Sequence, residues 1–335
     1  MPLRMTAEVK QTVQYPWIVN LELTNACNLV CVFCDHRILK KKMRAQEMDS
    51  SLLRKILSDI RCMVKNRKMH ELGLVGLGEP TLDKHLSTHL KIIDRHADSF
   101  ERVSFNSNLV SLNKSKVNAL LDSSINTYTF SVNASNRKLY CKMMGRDVFN
   151  TVVKNLATFL DMVKQKQKKV SIGIQLFNSE SNSLEELRKF CPTVPSSQVN
   201  FFYRELYVKP VLQRKHPSLI FPETNSDSHY PCWDIYSRVY IDVRGNLYPC
   251  TIGNDCYREE SDYCLGNIKD NSLLGLFNGP KIILARQRCE YGGLPFDDCN
   301  ICNIWSLTPN NFTWDDEKQR WEKKRSQVRS FGLKG

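Results

Sequence analysis

The chain has 335 residues, 41% of them hydrophobic, enough for a sizeable core in one large or two smaller domains. No apolar run approaches the ~20 residues that span a bilayer, and Met1 to Gln14 carries charges without an apolar centre, so neither a membrane segment nor a signal peptide is expected and the expected location is cytoplasmic. Forty-eight basic against 35 acidic residues give a net charge of +13, which suits acidic partners, while 13 cysteines in such a chain argue for metal or redox chemistry over a disulfide scaffold.

From residue 17 to about 206 the pattern alternates strand and helix. Residues 17–23 are an apolar run that reads as a buried strand. It runs into Cys27-Asn28-Leu29-Val30-Cys31-Val32-Phe33-Cys34, three cysteines spaced C-x3-C-x2-C. Three thiolates on one loop at the C-terminal end of a strand stand where α/β folds place their chemistry. Soft thiolates select zinc, Cu(I) or iron–sulfur. Three without a nearby fourth make a poor structural zinc site. An iron–sulfur cluster can leave one iron open to a substrate or cofactor. His36 reads as a loop residue.

Further strands are expected at 71–75, 102–105, 127–132, 170–176 and 199–206. Helical spacing follows a cap at Asp49 or Ser50 through Leu52, Leu53, Ile56 and Ile60, and recurs at 83–95, 114–123, 148–163 and 183–190. Such alternation implies a parallel sheet, about six units falling short of the eight of a closed barrel, and periodicity alone does not separate a partial barrel from a doubly wound sheet. Gly76-Leu77-Gly78-Glu79-Pro80 follows the second strand, glycines there allowing close approach of a ligand and the proline stiffening the exit. Asn106-Ser107-Asn108, Ser131-Val132-Asn133 and Arg146 fall after the third and fourth strands, at the same end.

Residues 207–230 hold three prolines with little periodicity and read as a linker. From 231 to 310 cysteines are dense, and short strands and turns are expected in place of long helices. Val239, Ile241 and Val243 alternate into Arg244-Gly245-Asn246 and Leu247-Tyr248, a hairpin signal. Cys232, Cys250, Cys299 and Cys302 form two separated pairs that suit zinc or a fully ligated cluster. Cys62, Cys141 and Cys191 read as core thiols, residues 311–335 as a charged tail, and the part beyond Trp321 as a solvated helix or frayed end.

The cysteine loop, with Phe33 just before its third cysteine, resembles the radical S-adenosylmethionine (SAM) enzymes. The resemblance implies a 4Fe–4S cluster on Cys27, Cys31 and Cys34, with SAM on the fourth iron and cleaved to a 5′-deoxyadenosyl radical that abstracts hydrogen from an unactivated C–H bond. Gly78-Glu79-Pro80 resembles the family's GGEP motif, with Leu77 in place of the first glycine, which implies that Gly78 and Glu79 bind the SAM amino group. Ser131 and Asn133 resemble the segment near the SAM ribose and carboxylate, and Asn106 and Arg146 are further candidates at that mouth. The fold implied is α/β, a partial (βα)6 barrel over residues 1–206, followed by a small cysteine-rich α+β domain. That domain, with C-x12-G-x4-C at Cys232 and Cys250 and one C-x2-C at Cys299 and Cys302, resembles the SPASM/twitch domains and implies one auxiliary 4Fe–4S cluster. Cys256, Cys264 and Cys289 lie between those ligands and are candidate hydrogen donors, since some relatives are epimerases that use such a cysteine.

The leading reading is a radical SAM oxidoreductase or epimerase acting on a small polar metabolite: a sugar, an aminocyclitol or a nucleotide-linked compound. Only 26 residues precede Cys27, which is short for a peptide-recognition domain. The alternatives are a peptide epimerase or cross-linking maturase, and a non-catalytic basic metal-binding module that contacts nucleic acid. The last leaves Gly78-Glu79-Pro80 without a role, so nucleic acid is not the expected partner. An acidic electron donor such as a flavodoxin or ferredoxin is.

Overall fold

The computed structural model describes residues 13–39, 44–178, 181–191, 197–204, 232, 234–250, 263–291, 293–297 and 299, and the strands Phe312–Asp315 and Arg320–Lys323. Six parallel strands run through the first two-thirds: β1 (Ile18–Leu21), β2 (Met69–Leu74), β3 (Phe100–Ser107), β4 (Thr127–Asn133), β5 (Ser171–Phe177) and β6 (Val199–Arg204). Their order in the sheet is sequential. Every crossover therefore steps the same way and the helices collect on one face, the winding of an open barrel wall and not of a doubly wound sheet, whose order reverses.

The helices between the strands are α1 (His36–Leu39), α2 (Ser50–Val64), α3 (Leu86–Asp94), α4 (Lys114–Asp122), α5 (Arg137–Met144), α6 (Phe149–Lys166) and α7 (Leu184–Arg188). Helix α2 starts where expected, because the Asp49 carboxylate accepts from Ser51 N and Leu52 N. Its buried stripe is Leu52, Leu53, Ile56, Leu57, Ile60 and Val64. Cys62 falls off that stripe and is exposed, so it is not the core thiol the sequence suggests. Helix α5 was not expected. Only Tyr140, Met143 and Met144 of its eight residues are buried, too short a run to show a period.

The two faces of the sheet differ. Toward the helices, Leu21, Leu72, Leu74, Val103, Phe105, Tyr128, Phe130, Ile172 and Ile174 are buried, each such side chain contributing about 1.5–3 kcal/mol. The opposite, concave face alternates with them and is polar: Asn20 on β1, Glu71 on β2, Arg102, Ser104 and Asn106 on β3, Thr129 and Ser131 on β4, and Gln175 on β5. At its floor Glu71 pairs with Arg102 at 3.4 Å and accepts from Ser104 Oγ at 2.5 Å.

The C-terminal part does not stand apart from this sheet. After α8 (Asp234–Ser237), β7 (Arg238–Ile241) pairs in parallel with the free side of β1, and β8 (Asn246–Tyr248) and β9 (Gly266–Asn267) continue the same nine-stranded sheet antiparallel. The predicted hairpin is β7–β8, turned at Gly245 with φ +92°. Helices α9 (Leu273–Phe277) and α10 (Pro280–Glu290) follow, which gives this part the α+β make-up expected of it. Two short strands are described within the charged tail. Strands β10 (Phe312–Asp315) and β11 (Arg320–Lys323) pair antiparallel, with Trp314 opposite Trp321, and aromatic and threonine positions favour extended backbone.

Candidate active site

The cysteine loop leaves the C-terminal end of β1 and is held by α5. The last carbonyls of a helix have no partner within it. Here Met143 O accepts from Val32 N at 2.9 Å and Met144 O from Val30 N at 3.4 Å. Gly145, at φ +72°, ends the helix against the loop, where a Cβ would come within 2.7 Å of Val30 O. Arg146, a candidate at the same mouth, donates to Asn28 O at 2.8 Å and braces the same loop. His36 is more than a loop residue: it is buried at the start of α1, its Nε2 3.0 Å from Asn25 O.

The three thiols lie close enough to feel one another's charge. Burial first, then Cys34 and Cys27, push the Cys31 thiol well above the usual range, and burial pushes Cys34 up to about 12. Among the described residues no three Cys, His, Asp or Glu stand close enough to hold a single metal ion. Each thiolate of a 4Fe–4S cluster binds its own iron, and three soft, partly buried thiols on one loop are the donor set such a cluster takes. Burial that penalises free thiolates is offset by the cations of a cluster, which hold such ligands deprotonated.

The Gly-Glu-Pro turn is clamped to the cysteine loop. Glu79 N donates to Ala26 O at 2.7 Å, and a Cβ on Gly78 would strike Thr24 O, so only glycine allows that approach. Glu22, a residue that sequence reasoning missed, accepts from Leu77 N at 2.8 Å and Gly78 N at 3.3 Å. It is 1% exposed, and its one signal is a lone charge within an apolar run. Glu79 is 3% exposed, and its carboxylate turns into the fold. It accepts from Thr81 N, Thr81 Oγ1, Ser107 Oγ and Asn108 N at 2.6–3.1 Å. The side chain thus fixes the turn against the end of β3.

The other candidates divide. Asn106 and Ser131 sit on the concave face without a side-chain hydrogen bond among the described residues. Asn133, at φ +66°, is buried, accepts from Gln175 Nε2 at 2.8 Å and is occupied within the fold. Phe33 packs edge-on to Phe177 at the end of β5, ring centroids 4.6 Å apart. Asn108, named with Asn106 at the end of the third strand, reaches the cysteine loop: its Nδ2 bonds Asn28 Oδ1 at 2.8 Å and lies 4.0 Å from Cys27 Sγ.

In the C-terminal part Cys232, Cys250 and Cys299 come together. Burial raises the Cys232 thiol first, then Asp234, Cys250, Cys289 and Cys299 add to it. Cys289, on α10 and 1% exposed, accepts from Cys232 N and is pushed up to about 12 by burial. It therefore lies among the expected ligands. Cys250 Sγ contacts Tyr263 OH, and Cys264 Sγ is 3.8 Å from Gly266 O. Cys256 and Cys302 lie outside the described residues.

A sequential parallel wall with a three-thiol loop at the end of β1, a glycine turn clamped beside it and a second thiol group define an iron–sulfur enzyme of the partial-barrel class. A family model described as the radical SAM superfamily matches residues 21–191, and one for the SPASM iron–sulfur cluster-binding domain matches 232–303. The chain belongs to the radical SAM superfamily and carries a SPASM auxiliary-cluster domain, and its cofactors are a 4Fe–4S cluster, SAM and an auxiliary iron–sulfur cluster. Similar solved structures include Streptococcus suis SuiB bound to its precursor peptide SuiA (16% identity, 87% of this chain and 72% of that one, TM-score 0.59). Others are anSMEcpe with bound AdoMet (14%, 87% and 88%, 0.55) and BtrN in complex with AdoMet and 2-DOIA (13%, 83% and 88%, 0.51). At these identities the likeness is one of fold. No curated protein matches the chain, and no described helix is long and apolar enough to cross a membrane.

Proposed function

We propose that the protein abstracts a hydrogen atom from a small polar metabolite, a sugar, aminocyclitol or nucleotide-linked compound, and that oxidation or epimerisation follows. The observation that carries this reading is the concave face. Asn106, Thr129 and Ser131 line it beside Gln175 and make no side-chain hydrogen bond of their own among the described residues, so hydroxyl, amide and carbonyl groups are on offer to a ligand rich in polar groups.

Bound at Cys27, Cys31 and Cys34, the cluster with SAM supplies abstraction of hydrogen from an unactivated C–H bond. The chain's own residues do the rest. Glu22 and Glu79 hold the Gly-Glu-Pro backbone toward the cofactor, Phe33 on Phe177 closes one side of the mouth, and Arg146 and α5 keep the cysteine loop in register. Cys232, Cys250, Cys299 and Cys302 would hold the auxiliary cluster, with Cys289 beside them. The positive charge of the chain suits an acidic flavodoxin or ferredoxin as electron donor. The absence of disulfides among the described cysteines suits a reducing, cytoplasmic setting.

The test is anaerobic reconstitution with SAM and a panel of sugars, aminocyclitols, nucleotide sugars and peptides, followed by mass spectrometry in deuterated water. Product two hydrogens lighter means oxidation. Deuterium at one carbon without a change of oxidation level means epimerisation, and changing Cys256, Cys264 or Cys289 singly to Ala then stops one variant after abstraction. Turnover confined to peptides defeats this reading in favour of peptide maturation.

A further inference from the structure

Tyr140 lies on α5, fully buried, and its hydroxyl has no hydrogen-bond partner among the described residues. A buried hydroxyl left unpaired costs about 1–3 kcal/mol, so such groups in native proteins point to a partner that the bare chain lacks. Packing alone does not call for the oxygen. The ring meets Phe149 at 5.6 Å between centroids, a contact phenylalanine would make equally well.

The helix itself faces the cysteine loop. Met144, four residues on and so on the same side of α5 as Tyr140, has its sulfur 3.9 Å from Cys31 Sγ. Backbone bonds from Val30 and Val32 to the helix end hold the two segments together. After burial, the charges that act on the phenol are those of Cys31, Cys141, Glu79 and Cys27, in that order. Two of these are already engaged. Both oxygens of Glu79 are taken by Thr81, Ser107 and Asn108, and the Cys141 thiol bonds Asp147. That leaves the thiols of the cysteine loop, which α5 packs against and where cluster sulfur would stand.

We propose that the Tyr140 hydroxyl donates a hydrogen bond to a sulfur of the cluster at Cys31, either the cysteine sulfur or an adjoining sulfide, and thereby raises that cluster's reduction potential. The inference rests on the reading that Cys27, Cys31 and Cys34 hold the cluster. Reduction adds negative charge to the sulfurs, so a fixed donor stabilises the reduced form more than the oxidised one. Tyr140 acts on the metal group and touches no reacting atom of substrate, so it is a positioning residue.

The experiment is a redox titration of the full chain, reconstituted anaerobically, following the paramagnetic resonance signal that changes when SAM is added. Tyr140→Phe is expected to lower the equilibrium constant for one-electron reduction about tenfold, which is ~59 mV for one electron. The thermal midpoint of the iron-free variant is expected to stay level or rise, because the lost hydroxyl had no partner there. An unchanged potential overturns the proposal. So does an iron-free Tyr140→Phe chain that loses stability while the potential holds, since the hydroxyl would then be satisfied inside the protein. Should the phenylalanine variant take up no cluster, 3-fluorotyrosine at the same position decides. It is a stronger donor and is expected to raise the potential, and no shift overturns the proposal. A wild-type protein without any SAM-sensitive signal defeats the cluster assignment itself, a different failure from an unchanged potential.

Discussion

Glu22 and Glu79 hold the Gly-Glu-Pro turn from its two sides, and the two differ in how far the sequence reveals them. Glu79 stands in a motif, so its importance is legible, although its direction is not. The motif suggests contact with SAM, whereas the carboxylate is buried against Thr81, Ser107 and Asn108. Glu22 carries the same kind of duty just past the end of β1, and its only local mark is a lone charge in an apolar run. A neutral amide at position 79 can serve only some of those donors, because its nitrogen faces an N–H or hydroxyl that needs an acceptor. Glu79→Gln is therefore expected to cost about 1–3 kcal/mol in denaturant unfolding and to weaken SAM binding while the reconstituted iron content stays at the wild-type level. Loss of iron with SAM affinity per cluster unchanged would show that the turn does not serve the cofactor.

At the scale of elements, the strands and long helices of the first half follow from alternation and helical spacing, and their order from consecutive crossovers. Two things do not. Helix α5 is too short and too charged to declare itself, yet it braces the whole cysteine loop. The pairing of β7 with β1 joins residues more than two hundred apart, and no local pattern encodes a partner at that distance. The C-terminal helices are tied to one another by Arg286, which is fully buried on α10 and reaches α8 and the end of α9. It donates to Ile235 O at 3.0 Å, Phe277 O at 2.9 Å and Asn278 Oδ1 at 3.1 Å, and stacks over the Phe277 ring at 4.6 Å. Arg286→Ala strands these acceptors and leaves a void, so a loss of about 3 kcal/mol is expected in urea unfolding. A loss under about 0.5 kcal/mol, the size of an ordinary surface change, would mean that the region repacks without it.

For the molecule as a whole, the cysteine spacing announces the chemistry, because ligand geometry constrains a short loop directly. The substrate is not announced. The concave face proposed to recognise it takes its polar residues one at a time from separate strands, and they meet only once the sheet has formed. The account's central claim is that Cys27, Cys31 and Cys34 hold the cluster that SAM engages, separately from the auxiliary thiols around Cys232. The direct measurement compares wild type with Cys27→Ala, Cys31→Ala and Cys34→Ala, each reconstituted anaerobically, for iron content and for 5′-deoxyadenosine formed from SAM under reductant. Each variant is expected to lose one cluster's share of iron, keep the auxiliary share and form no 5′-deoxyadenosine. Wild-type amounts of 5′-deoxyadenosine from any of the three would contradict the account.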